Sequence, residues 1–329
     1  MISVIVLTHT GDLIYRCLDS IRKSKLVDYE IIVMADEYRD YGKDIQLIIC
    51  KDLPAQKRNY SINFCKGDYI CFLDDDTEVE PLTLYWLWNE CQTIDMTYAK
   101  LINMEDRHTL DHNGAYLGFG GFLVENITLK ISYLWNKVYS PILAGKSACC
   151  MIKRGWFEKC MFDRDFGMFG EETDLSWRVW LYGGKVSMCE QAVCYHAFNT
   201  KLKDPLKYYN LHTVHYHGCK NYPTMLIKNL SLKNLILILP IHLCIWILAC
   251  LSMRLKGKKQ EAGYIWAGLG YLWTNRGLVW AKRKEIQNKR VIKDKELFKL
   301  IGIKTTPSYY INRFKEYITQ GREQRLSNQ

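Results

Sequence analysis

The sequence predicts an α/β fold: a mostly parallel sheet flanked by helices, followed by a helical, membrane-associated C-terminal region. Three observations predict it. Short apolar runs alternate with helix-period segments over the first part of the chain, the pattern of a doubly wound sheet. Charge then divides the chain: residues 1–200 carry 21 Lys and Arg against 28 Asp and Glu, and residues 201–329 carry 24 against 7. Finally, the basic part holds a nearly continuous apolar stretch, residues 235–253, without Asp, Glu, Lys or Arg. A chain of 329 residues can bury a sizeable core and hold two units, set here at residues 1–205 and 206–329.

The elements follow in order. Residues 3–7, Ser-Val-Ile-Val-Leu, form a first buried strand; no basic segment precedes them, so they do not read as a secretion signal. Leu13, Cys17, Leu18 and Ile21 recur at helical spacing and predict a helix over 12–24. Residues 30–34 form a second strand ending at Asp36, residues 46–49 a third, and residues 54–65 a helix. Residues 69–73, Tyr-Ile-Cys-Phe-Leu, form a fourth strand that ends in Asp74, Asp75 and Asp76. Gly118-Phe119-Gly120-Gly121 lacks a phosphate-binding context and reads as a flexible loop. No GxGxxG, GxxxxGK[ST] or GxSxG pattern is present, which removes support for a dinucleotide fold, a P-loop or a hydrolase elbow.

Ligands of such sheets bind at the carboxyl ends of the strands. That rule gathers Thr8–Thr10, Asp36 and the Asp74–Asp76 cluster along one rim. Three consecutive carboxylates repel one another unless they are solvated or bound to a cation. Their oxygens suit Mg²⁺ or Mn²⁺ bridging a substrate's phosphates; the plain alternative is a solvated acidic turn.

A second acidic group lies in residues 170–178, Gly-Glu-Glu-Thr-Asp-Leu-Ser-Trp-Arg, where a helix begins near Thr173. Glu171, Glu172 and Asp174 either balance the helix dipole or provide a general base for a substrate hydroxyl. Further on, Val193-Cys194-Tyr195-His196 ends a strand-like run in an imidazole, either a structural polar group or a further cation ligand.

Residues 235–253 match a bilayer's hydrocarbon thickness, about 28 Å at 1.5 Å per residue. Lys233 precedes the stretch, and Arg254, Lys256, Lys258 and Lys259 follow it. A weaker stretch covers residues 262–281, and Pro240 is expected to break or kink the first. A re-entrant hairpin, a pair of spans or interfacial helices all satisfy this pattern. Each keeps the catalytic part and the basic tail on one side, so membrane lipids are expected partners and nucleic acid is not. The 13 cysteines show no CxxC pair; Cys71, Cys149, Cys150, Cys244 and Cys250 lie in apolar contexts and read as small core residues of a reducing compartment.

These pieces, in this order, resemble the family 2 glycosyltransferases with the GT-A fold. The resemblance rests on Ser-Val-Ile-Val-Leu-Thr, Cys-Leu-Asp-Ser-Ile, Lys57-Arg58-Asn59, Lys66-Gly67-Asp68, the Asp74-Asp75-Asp76 group in the place of a DXD motif, Phe162-Asp163, residues 169–178 and His196. It covers roughly residues 1–200, and the subgroup it resembles is that of membrane-associated rhamnosyl- and galactofuranosyltransferase-like enzymes of cell-surface glycan biosynthesis. It implies a nucleotide-sugar donor, a lipid-linked glycan acceptor, Mg²⁺ or Mn²⁺ as cofactor, inversion at the anomeric carbon, and a place at the cell membrane with the catalytic domain on the cytoplasmic side.

Residue by residue, the resemblance places Thr8, Asp36, Arg58, Asp74 and Asp75 at the donor, with Asp36 at the base, Arg58 close by and Asp74 at the ribose. Asp76 and His196 hold the metal. Glu172 is the base, with Glu171 and Asp174 near the acceptor. Family members often carry Glu-Asp where this chain has Glu171-Glu172, which leaves the base open among Glu171, Glu172 and Asp174. Met34-Ala35-Asp36-Glu37 departs from the usual end of the second strand and leaves the nucleobase open. The Gln-x-x-Arg-Trp signature of processive synthases is missing, which implies addition of one sugar. A sugar nucleotidyltransferase and a non-catalytic membrane-bound partner of the same fold are the alternative functions.

Overall fold

Four mainly apolar runs become adjacent parallel strands: β1 (Ile2–Thr8), β2 (Tyr29–Ala35), β3 (Ile45–Ile49) and β4 (Tyr69–Asp74). The computed structural model describes residues 1–9, 11–125, 140–197, 213–303 and 307–319. β1 lies between β2 and β4, parallel to both, and all seven of its residues are buried. Continuous apolar runs of this kind suit strands covered on both faces. Helix α1 (Leu13–Arg22) lays Ile14, Cys17, Leu18 and Ile21 into the core, one stripe at helical spacing. Helix α2 (Pro54–Ser61) begins with a proline, whose fixed φ suits a first turn, and runs on into a 3₁₀ turn at Ile62–Phe64. Gly67 precedes β4 because a Cβ there would stand 2.6 Å from the Ser3 nitrogen.

Beyond β4 the chain adds short β5 (Thr77–Val79), helix α3 (Thr83–Glu90), β6 (Met96–Asn103), β7 (Leu110–His112), β8 (Ala115–Gly118), β9 (Leu123–Glu125) and β10 (Ser140–Pro141). Then come β11 (Cys149–Lys153), helices α4 (Arg154–Cys160) and α5 (Glu171–Leu181), and β12 (Val186–His196). The main sheet runs β10-β12-β6-β11-β4-β1-β2-β3, with β5 on β12 and β7 on β6.

The expected mostly parallel sheet is therefore corrected to a mixed one. β11 is antiparallel to both β4 and β6, β10 and β5 are antiparallel to β12, and β7 is antiparallel to β6. Cys149-Cys150-Met151-Ile152 is apolar enough for a strand, but its direction follows from the route of the chain and not from side-chain pattern.

Register sets the functional rim. Thr8 pairs with Ala35, and Leu7 pairs with Asp74, so the ends of β1, β2 and β4 are level. β5 turns back along β12 and sets Thr77 opposite His196, which brings the imidazole next to Asp76.

The chain divides into two compact units: residues 1–116, 125–167 and 171–198 form the first, and residues 117–124, 168–170 and 199–329 the second. The expected boundary at 205/206 lies outside the described residues, as does Thr10 of the expected rim. In the second unit, a π-helical turn (Thr213–His217) leads into helices α6 (Gly218–Asn229), α7 (Leu232–Leu255), α8 (Lys259–Thr274), α9 (Arg276–Lys289) and α10 (Asp294–Ile301). β13 (Gly302–Ile303) and helix α11 (Pro307–Thr319) follow. Cys219, Trp246, Ala249, Met253, Ala262 and Ile265 form its core.

Several expectations change here. α7 continues through Pro240, which costs it one backbone donor and does not break it. Residues 262–281 do not form one stretch, because Asn275 separates α8 from α9. The Gly118–Gly121 loop is a hairpin turn closed by Gly121 N–H to Gly118 O, with Gly121 at φ +77°. Cys244 is exposed and not a core residue, while Cys71, Cys149 and Cys150 are buried. Among the described residues, one helix, Leu232–Leu255, is long and apolar enough to cross a membrane.

Candidate active site

The level ends of β1, β2 and β4 bring together Thr8, Asp36 and the three aspartates. Asp36 accepts hydrogen bonds from Lys57 Nζ and from the His9 ring. Burial opposes its charge, but Lys57 and His9 hold the carboxyl below its ordinary range. Lys57 is buried and also donates to the Thr8 carbonyl at 3.1 Å. The partner of Asp36 is thus Lys57, and the expected neighbour Arg58 turns the other way. Thr8 Oγ1 donates to Asp75 at 2.5 Å. Burial raises Asp75 to about 6 against that bond, and the charges of Asp76 and Asp74 add to the rise.

Arg58 is the hinge of the site. α2 places it in the interior, 2% exposed, where Nη2 donates to Asp74 at 3.0 Å and Nη1 to Glu171 at 3.1 Å. One planar guanidinium therefore ties the end of β4 to the start of α5, a geometry a lysine's single ammonium does not reproduce. Its neighbour Asn59 locks α2 to the segment before α5, exchanging two 2.8 Å hydrogen bonds with the Phe162 backbone.

Asp74, Asp76 and His196 each offer one ligand atom, and these atoms lie within 4.8 Å of one another. His196 is buried, with Nε2 3.4 Å from Asp76 Oδ1 and Nδ1 2.9 Å from Asp111 Oδ2. Lys146 Nζ in turn donates to Asp111 at 2.9 Å. Burial opposes charge on both partners, but Lys146 and His196 keep Asp111 well below the usual carboxylate range. Likewise Asp76 and Asp111 outweigh burial and raise His196 to about 10. With its Nδ1–H donating to Asp111, His196 can turn the Nε2 lone pair toward the two aspartates. That is the carboxylate–histidine arrangement behind many metal ligands, and two carboxylates with one imidazole fit a divalent cation. Proton and dication are alternative neighbours of Nε2. The set adds Asp74 to the expected pair Asp76 and His196.

Helix α5 starts at Glu171, two residues before the expected Thr173, so all three acids lie in its first turn. They part there. Asp174 is fully buried and held by Arg178 Nε at 2.8 Å, while Arg178 also donates to the carbonyls of Cys160 and Met161. Such a carboxylate has no access to a hydroxyl, so the expected placement of Asp174 by the acceptor is corrected: it is a structural ion pair that anchors α5. Glu171 is 5% exposed and spent on Arg58. Glu172 is only partly buried; burial and the adjacent Glu171 push its carboxyl well above the ordinary range. A partly accessible carboxylate with a raised proton affinity has the chemistry of a general base.

The residues that sequence reasoning missed are Lys57 as a site residue, Asp111 and Lys146, while His9 falls within the expected rim of Thr8–Thr10. Asp111 comes from β7, far from any motif, and nothing local marks it. Lys57 had a signal: it stands beside Arg58 at the buried start of a helix.

Residues 3–161 match the family model described as "Glycosyl transferase family 2". A curated relative, the poly(ribitol-phosphate) beta-glucosyltransferase of Bacillus spizizenii strain W23, is 30% identical over 122 residues, which covers 32% of this chain and 19% of that protein. The chain thus spans less than a fifth of the length of this relative. Among solved structures, S. aureus TarS 1-349 in complex with UDP-GlcNAc has a TM-score of 0.55 at 17% identity, covering 88% of this chain and 89% of that one. GalNAc-T7 with UDP, GalNAc and Mn²⁺ has a TM-score of 0.50 at 16% identity, covering 68% and 50%. At these identities the likeness shows the fold alone: a mixed α/β sheet with flanking helices of the GT-A kind.

Proposed function

We propose, from the match of residues 3–161 to the model of glycosyl transferase family 2, that this chain is an inverting, metal-dependent glycosyltransferase. It moves one sugar from a nucleotide-sugar donor to a lipid-linked glycan acceptor at the cytoplasmic face of the membrane. The observation that carries this reading is the Arg58 bridge. It joins Asp74, a member of the cation-binding cluster, to Glu171, beside the one partly accessible acid of α5. Donor and base sides of a transfer site are thereby held at the two ends of one guanidinium.

The geometry supports the following roles. Lys57, Asp36 and Thr8 line the rim where the nucleotide sits, with Lys57 fixing the Asp36 carboxylate. Asp76 and His196, with Asp74 beside them, would hold the Mg²⁺ or Mn²⁺, whose charge stabilises the departing diphosphate. Glu172 takes the proton of the acceptor hydroxyl as that oxygen bonds to the anomeric carbon and the bond to the nucleotide's phosphate breaks. Attack opposite the leaving group inverts the centre. Glu171 stays with Arg58 and holds Glu172's proton affinity high.

The membrane part of the proposal is supported by α7: only 28% of its most apolar 18-residue window is buried. A core helix of a soluble protein is mostly buried, and this one offers an apolar face instead. The named UDP-GlcNAc complex makes a UDP-sugar the first donor to test. The experiment is a screen of UDP-, GDP- and dTDP-sugars with the purified chain, with and without Mn²⁺ or Mg²⁺, reading nucleoside diphosphate release and anomeric configuration. Metal-dependent release from one class supports the proposal. Pyrophosphate release from a nucleoside triphosphate and a sugar phosphate would replace it with nucleotidyl transfer.

A further inference from the structure

A cationic cavity of about 1050 Å³ lies within the second unit, where the start of α7 meets α9 and α10. Five exposed lysines line it: Lys233, Lys284, Lys293, Lys295 and Lys299. None of the five forms an ion pair with a described residue. The one acid in the lining, Asp294, is already spent. It accepts the Ser231 N–H at 2.9 Å, the Asn234 amide at 2.6 Å and a hydrogen bond from Arg290.

Arg283 is the second observation. It is 7% exposed and lines the cavity, and its Nη1 caps the carbonyls of Ile227 and Leu230 at the end of α6. Its Nε and Nη2 have no hydrogen-bond partner among the described residues. Burial, with Arg290 beside it, disfavours the charge on this guanidinium, and Asp294 only partly offsets them. This guanidinium, its Cζ 5.5 Å from the Trp280 ring centroid, has two unused donors with which to receive an anion. The first N–H groups of α7 add to this, since Ser231 at its N-cap makes no side-chain capping bond.

We propose that this cavity binds the phosphate headgroup of an anionic membrane lipid and so seats the start of α7 at the bilayer surface. A phosphate on a lipid is favoured over a soluble one because the cationic cavity runs directly into apolar surface. Leu232, Ile236 and Leu237 of α7 are exposed just past Ser231, and the exposed Trp280 ring stands in the lining. Cations, an interfacial tryptophan and an open apolar helix face together match an amphiphile. The inference rests on the membrane reading above and adds a defined headgroup site to it.

Flotation of the 329-residue chain with lipid vesicles tests it, without any nucleotide sugar, so transfer activity does not enter. Three vesicle compositions are compared: phosphatidylcholine alone, with phosphatidylserine, and with phosphatidic acid at matched surface charge. Binding is expected to be strongest with phosphatidic acid, whose phosphomonoester fits a pocket of donors. The variant Lys233→Gln/Lys284→Gln/Lys293→Gln should lose about tenfold or more of that binding, at roughly 1 kcal/mol per lysine near the surface. The control Arg254→Gln/Lys256→Gln/Lys259→Gln removes equal charge outside the cavity and should lose about threefold or less. Thermal melting checks that both variants fold; if the cavity triple does not, Lys284→Gln alone is read against Lys256→Gln. Equal losses in the two sets, or no preference for phosphatidic acid over phosphatidylserine, overturn the headgroup site while leaving membrane binding standing. No binding to any vesicle overturns both. Displacement from vesicles by inorganic phosphate at low millimolar concentration would assign the cavity to free phosphate, and preference for soluble polyphosphate over every vesicle would assign it to a polymer; either overturns the proposal.

Discussion

Glu172→Gln separates two consequences of opposite sign. In the native protein, burial and the neighbouring Glu171 raise the Glu172 carboxyl well above its ordinary range, and Arg58 only partly offsets them. An unfolded glutamate titrates near about 4.3, and each unit by which the folded pKa exceeds this costs about 1.4 kcal/mol once the pH is above both values. The sign follows from linkage. With a raised folded pKa, the folded state holds its proton longer, so stability is lost as pH rises from about 4.3 through the folded pKa. Gln carries no charge, so the variant escapes that cost. It is expected to be more stable than the native protein near about pH 8, with the advantage shrinking to nothing near about pH 4. Activity moves the other way: loss of a general base costs about 10²–10⁴-fold in turnover, roughly 2.7–5.5 kcal/mol of barrier, with donor binding kept. The assay pairs urea midpoints across this pH range with steady-state turnover on the donor found by the screen. Wild-type turnover in Glu172→Gln, or a loss of stability at the alkaline end, would refute the assignment of Glu172 as a partly buried base.

The other predictions are shorter. Asp76→Asn should keep the fold and lose about 100-fold or more of transfer, as expected when one oriented charge near the leaving group goes; full native activity in excess EDTA would contradict the metal assignment. Arg58→Met leaves Glu171 buried without its cation and should cost about 3–5 kcal/mol in a urea titration, reduced by what solvent recovers at the more exposed Asp74. Arg58→Lys should restore only part of that loss, because one ammonium does not span both carboxylates, and full restoration would show that fork geometry is irrelevant. The 329-residue chain should stay with membranes through a high-salt wash, because an apolar helix is not screened by ions; recovery in the soluble fraction at low salt would make α7 a core helix of a soluble protein.

Much of this was legible in residue order alone. The strands at β1, β2, β3 and β4 follow from apolar runs with turn residues between them, and α1 follows from Leu13, Cys17, Leu18 and Ile21, because burial on one face imposes a period that local sequence must carry. The carboxyl-end rule places Thr8, Asp36 and Asp74–Asp76 on one rim, since parallel strands bring their carboxyl ends to the same edge of the sheet. The apolar length of α7 and the basic flanks around it are likewise properties of the string. Tertiary structure decided what depends on chain route and reach. The antiparallel entry of β11 between β4 and β6 made the sheet mixed, and no side-chain period encodes strand direction. Which acid is free was also decided there. Glu171, Glu172 and Asp174 are alike as residue types and within four positions, yet Arg58 claims the first, Arg178 the third, and only the second keeps access to solvent. The same holds for Asp36, which took Lys57 in place of Arg58, and for His196, whose partner Asp111 lies 85 residues earlier. Ion pairs are chosen by distance in space, and only the fold sets that distance.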